Sequence, residues 1–511
     1  MEFSLIDYVV IVVYLFGVAG VGIWISGRQT STSDYFLGNR DIPWWAVLFS
    51  VVATETSTLT FISIPAVAYG GNLTFLQITL GYIIGRILVS IFFLPKYYEG
   101  NLSTAYQFLG ERFGQSMRNA TSTTFMLTRL LADGVRLFAT AIPLAVILRL
   151  GGVFVGWSDF EVYLISISVI SAITILYTLV GGIKAVVWMD VIQMGVYVGG
   201  AVLAAGIMLG GIPGGFGGAM DLAAQSGKLQ ILDFGFDMPF DEFIAQPYTF
   251  FTALIGGAVF SVASHGTDQL IVQRLLTTRN ITESKKALVW SGVVVALQFA
   301  LFLVIGLLLY AFYDMQTAGA LGLATTDEIF AKFIVEELPV GLSGLIVASL
   351  FAAAMSSLSS SLNSLASSTT LDLYKPYWGK NNTQEQDLKI SRIITIVWAV
   401  VLTGSAFFFA FLQLQEGQRP AVVELGLGIA SYTYGGLLGA FLLGRLFEAP
   451  DKTDALIGFF AGLISLLFMV KGPIQAILPG DGLAIAWPLY TVVGSIIVVL
   501  VGILSQKVRK N

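Results

Sequence analysis

Polarity along the chain alternates between long apolar runs and short polar stretches, not between single residues. A helix needs about 20 predominantly apolar residues to cross the hydrocarbon core of a bilayer. On that criterion the pattern predicts spans at 5–26, 45–71, 73–95, 118–150, 160–180, 186–211 and 247–276. It continues with spans at 285–314, 338–371, 388–413, 420–446, 454–472 and 484–505, about thirteen in all. Continuous runs argue against an outer-membrane barrel, whose strands alternate. The first run follows Glu2 and Asp7, not a basic stretch, and no small-residue cleavage site closes it, so it reads as a retained span. The expected fold class is an all-α polytopic membrane protein.

Composition narrows the surroundings. The chain is 56% hydrophobic and 12% charged, where soluble domains carry roughly 25% charged residues. Mean hydropathy is +0.82. Its expected partner is therefore the lipid bilayer. A net charge of −5 without basic clustering argues against nucleic acid. Cysteine is absent and His265 is the single histidine, so thiolate chemistry and a histidine-ligated zinc or haem are not expected. The same poverty argues against a membrane enzyme, and no cofactor is implied. Nothing in the sequence encodes an oligomeric state.

Basic loops stay cytoplasmic. Arg28 and Arg40, Lys96 and Arg112, Lys184, Arg274 to Lys286, Lys375 to Arg392, Arg445 and Lys452, and Lys507 to Lys510 follow alternate spans. Intervening loops carry about one basic residue each: Arg149, Lys228, Lys332, Arg419 and Lys471. This predicts a multi-pass protein of the plasma membrane, a bacterial inner membrane in the expected setting, with the N-terminus outside and the C-terminus inside. External loops 212–246 and 315–337 are acidic and glycine-rich and suit the cap of an outer vestibule.

Ionisable groups at membrane depth are functional candidates, because each is costly there. They are Glu55, Arg86, Arg129, Asp133, Arg136, Asp190, His265 and Asp268. Arg129, Asp133 and Arg136 share one helical face, where an internal ion pair competes with a ligand role. In Ala53-Thr-Glu-Thr-Ser-Thr-Leu-Thr60 six of eight residues are polar in mid-span, with Pro65 just beyond. Hydroxyls that bond their own backbone weaken a helix there, and a helix broken at the midplane presents free carbonyls and amides. A second segment, Phe351–Asn363, is a tract of small residues with serines at 356, 357, 359 and 360. Together the two offer a hard, oxygen-only site suited to a small cation. Close packing of small residues is the alternative explanation of the serine tract.

In this order, these segments resemble the sodium:solute symporter family over nearly the whole chain. The likeness includes Ser33–Arg40 leading to Pro43-Trp-Trp45, the stretch Thr178–Gln193 with its glycine pair, tryptophan and Asp190, Gln273-Arg274, and the serine tract followed by Asp372-Leu-Tyr374. The resemblance implies a LeuT-type core of two inverted five-helix repeats with the site at their interface. Its expected layout is 1–44 as leading helix and cytoplasmic linker, 45–211 as first repeat and 212–246 as external loop. The second repeat is 247–446, and 447–511 forms two trailing helices and a short cytoplasmic tail. One implied sodium site uses backbone carbonyls of Ala53, Thr56 and Ala353 and the hydroxyls of Ser356 and Ser357. A second uses Asp190, Ser356, Ser359 and Ser360, which implies two sodium ions per cycle. Implied solute positions are Glu55, Ser57, Thr60, Thr79, Arg136, His265 and Asp268. The implied function is sodium-coupled symport of a sugar, sialic acid or other carboxylate-bearing solute by alternating access. A proton-coupled carrier of the same fold and a transporter-like sensor are the rivals. Glu55 and Arg136 are expected either to neutralise one another or to bind opposite groups on the solute.

Overall fold

The computed structural model describes residues 3–27, 29–416, 422–470 and 483–510. Arg28, Arg419 and Lys471, used above to set orientation, lie outside the described residues, as do the ends of the loops around them. Among the described residues there is no extended strand, only helices and one isolated bridge. Ten helices among the described residues are long and apolar enough to cross a membrane, and a bent pair raises the number to eleven. Their outward faces are apolar: on the first helix, Leu5–Ser26, Phe16 is 69% and Trp24 81% exposed. Such surface is tolerable only against lipid.

The helix Asp159–Gly211 runs for 53 residues, about 80 Å at 1.5 Å per residue and more than twice a hydrocarbon core. It is interrupted at Gly182, whose φ of 54° and ψ of −148° only glycine adopts readily. A Cβ there would also lie 2.4 Å from the Tyr35 carbonyl oxygen. The kink lets the chain turn against the interfacial segment, where Lys184 pairs with Asp34 at 2.9 Å. Gly182→Ala is expected to cost about 1–3 kcal/mol from backbone strain alone, before the clash with Tyr35. A thermal-denaturation midpoint in detergent equal to wild type would contradict this.

At the centre lies the serine helix, Leu342–Ser368. Between Ile346 and Ser368 every residue except Ser357 is buried. Its hydroxyls survive burial by donating to their own helix, as Ser360 does to the Ser356 carbonyl at 2.6 Å and Ser361 to that of Ser357 at 3.1 Å.

Two spans are broken. The first consists of Trp44–Glu55 and Thr58–Gly70, and the axes of Trp44–Glu55 and Thr60–Gly70 differ by 62°. The second consists of Phe250–Gly266 and the short helix Gln269–Leu275, whose first turn is capped by Asp268 accepting the Leu270 N–H at 2.8 Å. Part of the external segment straps the first of these. The Lys228 ammonium, buried and with its pKa pushed down by that burial, donates to the carbonyls of Tyr69 at 2.6 Å and Gly71 at 3.1 Å. It also sits 4.3 Å from the centre of the Tyr310 ring.

Candidate functional site

The first break follows from its sequence. Thr54 and Thr56 turn their hydroxyls back onto the carbonyls of Ser50 at 2.7 Å and Val52 at 2.8 Å. Thr56 and Ser57 are extended, with ψ of 117° and 171°, and the Ser57 N–H goes to Thr60 Oγ1 at 3.3 Å instead of continuing the helix. No hydrogen bond from a described residue ends on the Ala53 or Thr56 carbonyl.

Two contacts fix what faces this break. Thr54 Oγ1 lies 3.2 Å from Ser360 Oγ, and Thr58 Oγ1 donates to the Leu350 carbonyl at 3.1 Å. As the broken span runs from 54 to 58 its neighbour therefore runs from 360 to 350, which sets Ala353–Ser357 opposite the gap. Ser357, the one incompletely buried residue of that stretch, has a buried hydroxyl with no hydrogen-bond partner. An orphaned buried oxygen costs free energy unless a ligand meets it. Free carbonyls on one side and an unpartnered hydroxyl on the other suit a sodium ion.

Asp190 is fully buried one helix away. It accepts Ser356 Oγ–H at 2.6 Å and Ser50 Oγ–H at 2.5 Å, and Arg274 Nη2 lies 3.3 Å from it. Ser359 and Ser360 both donate to the Ser356 carbonyl. Of the second sequence-derived sodium set, Ser356 touches Asp190 directly and Ser360 connects to it through Arg274, while Ser359 turns its hydroxyl back onto its own helix. Ser50 and Arg274, which the sequence reading left out, join the cluster. Arg274 was counted with a cytoplasmic basic loop; it is instead completely buried on Gln269–Leu275. Its charge at the end of an apolar run looked like a loop signal. For Ser50 the available signal was its i, i+4 spacing to Thr54, which puts both on one face.

The solute positions divide. Glu55 is paired with Arg86, whose Nη2 donates to both carboxylate oxygens at 2.5 Å, and His265 Nε2 lies 2.6 Å from Glu55 Oε1 and 3.1 Å from Arg86 Nε. The mutual neutralisation of Glu55 and Arg136 entertained from the sequence does not form: Arg86 takes that role. Arg86 reaches its place because the preceding Gly85 packs so closely that a Cβ would lie 2.4 Å from the Ala258 carbonyl oxygen. This contact joins the two breaks, since Glu55 ends one half-helix and His265 nearly ends another.

Asp268 is held by Arg129 Nη2 at 2.5 Å and by the Tyr434 hydroxyl at 2.7 Å, besides capping its own helix. Asp133 accepts Ser361 Oγ–H at 2.5 Å and lies 3.4 Å from Arg129. Arg136 is left with one loose contact, 3.7 Å to Asp133, and its side chain is 24% exposed. Thr60 is half-buried and Ser57 buried at the first break. Thr79 turns its hydroxyl onto the Leu76 carbonyl at 2.7 Å and lines an apolar crevice with Leu80, Ile83 and Leu297.

Broken spans meeting at buried charges, beside a serine helix with an orphaned hydroxyl, define a membrane carrier for a small ion and a solute. Residues 35–462 match the model of the sodium:solute symporter family. The chain is 30% identical to the sodium/sialic acid symporter NanT of Aliivibrio fischeri, covering 100% of this chain and 94% of that one. It is also 30% identical to the sodium/sialic acid symporter SiaT of Proteus mirabilis, over 99% and 95% of the two chains. A solved structure of the substrate-bound outward-open state of a Na+-coupled sialic acid symporter superposes with a TM-score of 0.82 at 29% identity, covering 99% of this chain and 98% of that one. The chain belongs to the sodium:solute symporter family. It is a sodium-coupled symporter, and sodium is its coupling ion.

Proposed function

We propose that this symporter carries a carboxylate-bearing solute of the sialic acid type together with two sodium ions. The observation that carries the solute class is Arg136. Among the described residues, Glu55, Arg86, Arg129, Asp133, Asp190, Asp268 and Arg274 each have an opposite charge within 3.4 Å, whereas the Arg136 guanidinium is partly exposed with its carboxylate neighbour at 3.7 Å. A guanidinium so placed suits bidentate capture of a carboxylate, and its helix packs against Thr58–Gly70, the helix that Ser57 caps and that contains Thr60. The names of the two bacterial relatives agree with this class. Glu55, His265 and Asp268 then shape and position the pocket through their pairs.

The upper sodium ion is assigned to the carbonyls of Ala53, Thr56 and Ala353 and the hydroxyls of Ser356 and Ser357. The lower ion is assigned to Asp190, Ser356, Ser359 and Ser360. Counting the kinked helix as two spans, the bent pair as one, and Val422–Leu446 as a further span gives thirteen. The two breaks, one opening each of the segments 45–211 and 247–446, support an inverted-repeat core. The basic-loop asymmetry supports an external N-terminus and a cytoplasmic C-terminus in a bacterial inner membrane.

Binding of sialic acid to Arg136→Gln, measured by calorimetry in saturating sodium, tests the solute class. The expected loss is about 100-fold, roughly 2–3 kcal/mol for a charge-assisted pair, with the thermal midpoint in sodium unchanged. Unaltered affinity would remove Arg136 from the pocket and with it the carboxylate reading.

A further inference from the structure

The lower sodium pocket already holds a cation that belongs to the chain. Arg274 Nη2 donates to Ser360 and lies 3.3 Å from Asp190 Oδ2, so one guanidinium edge engages two of the four residues assigned to the lower ion. The rest of the group is anchored on residues outside those four, although one of them, Ser50, itself donates to Asp190. Nε donates to Ser50 Oγ at 2.9 Å and Nη1 to the Leu270 carbonyl, one turn back on its own helix, at 2.7 Å. Arg274 and Asp190 are both fully buried, and like charges confined together in such surroundings repel strongly. A sodium ion and Nη2 therefore compete for Asp190 and Ser360. Only the Nη2 edge has to release for sodium to enter, because two other edges keep the guanidinium solvated by protein.

We propose that Arg274 is a tethered cation that fills the lower sodium site when sodium is absent and is exchanged for the ion on binding. It is a positioning residue acting through Asp190, and the proposal rests on the assignment of the lower site above. The exchange has a structural consequence, because Arg274 sits on the half-helix Gln269–Leu275. The neighbouring Gln273 ties that half-helix to the Phe36 carbonyl at 2.8 Å and to Asn363 Oδ1 at 2.5 Å. Gln269 ties it to the Ser103 carbonyl and to Ser367, at 3.3 Å each. Sodium arriving at Asp190 thus loosens one tie of the segment that closes the second broken span. The lower ion gates that segment as well as adding driving force.

Equilibrium binding of 22Na to the purified full-length protein tests this, with wild type, Arg274→Gln, Arg274→Lys and Asp190→Asn side by side. Removing the competing charge should lower the half-saturating sodium concentration of Arg274→Gln about fivefold or more. Arg274→Lys keeps the charge and should stay near wild type. Loss of a merely structural arginine would weaken sodium binding in both variants. If Arg274→Gln unfolds without sodium, it is purified in sodium and followed by thermal shift, and its midpoint should climb more steeply with sodium than that of wild type. Unchanged or weakened sodium binding in Arg274→Gln, an equal or shallower climb, or an equal gain in Arg274→Lys would overturn the proposal. Asp190→Asn reports on the assignment itself. If it leaves sodium cooperativity intact, the lower site is misassigned. If cooperativity falls while Arg274→Gln behaves as wild type, the site stands and the tethered-cation role fails.

Discussion

Arg86→Gln is expected to lower the unfolding free energy of the purified protein by about 3–5 kcal/mol, the usual cost of stranding one member of a buried ion pair. Arg86 is completely buried and Glu55 keeps only a 20% exposed side chain, so neither can turn to water when the other is removed. Glu55→Gln should cost a comparable amount for the mirror reason. The double variant Glu55→Gln with Arg86→Gln should recover most of the loss, because the Coulomb attraction of the pair is nearly offset by the desolvation of its members. His265 then keeps its bond to the Ser261 carbonyl of its own helix, 3.1 Å from Nδ1. Denaturation of all three variants in detergent checks this. A double variant no more stable than either single would mean that charge pairing does not hold the two breaks together.

Ser357→Ala should separate two properties that usually fall together. The hydroxyl is buried without a partner, a condition that costs roughly 1–3 kcal/mol. Its removal should leave stability in sodium-free buffer unchanged or raise it. In sodium the same variant loses an ion ligand, and the concentration giving half-maximal uptake should rise by more than about tenfold, or 1.4 kcal/mol. Ser356→Ala should behave differently. Its hydroxyl donates to Asp190 at 2.6 Å, so stability without sodium and sodium dependence should both suffer. Thermal midpoints with and without sodium, read beside uptake, distinguish the two serines. A Ser357→Ala protein destabilised without sodium would show that the hydroxyl has a structural partner.

Local features were legible in the sequence and through-space pairings were not. The first break could be read because back-bonding hydroxyls and Pro65 act within a few residues of themselves. The serine helix could be read because 353, 356, 357 and 360 recur at helical spacing, and its meeting with Asp190 followed from the family resemblance. Arg86 was recognised as costly at membrane depth, but nothing local couples it to Glu55, 31 residues away, or to His265, 179 residues away. Asp268 illustrates the same limit. Its charge at membrane depth and the family resemblance suggested a ligand, yet Arg129, 139 residues distant, and Tyr434 engage it. Arg274 was misread because charge-based topology treats any arginine at the end of an apolar run as a loop residue, while a buried half-helix needs only a carboxylate in reach to hold one. Thr79 has the right residue type on the right helix, but its hydroxyl is used by the Leu76 carbonyl and its wall is apolar.

The central claim is that sodium, bound between the first break and the serine helix, drives uptake of a carboxylate solute. Proteoliposomes containing the purified protein, given labelled sialic acid under an inward sodium gradient, test it most directly. The comparison is the same vesicles in sodium-free buffer with an imposed inward proton gradient. The account predicts accumulation above equilibrium with sodium and none with protons alone. Equal accumulation in sodium-free buffer on the proton gradient would contradict it.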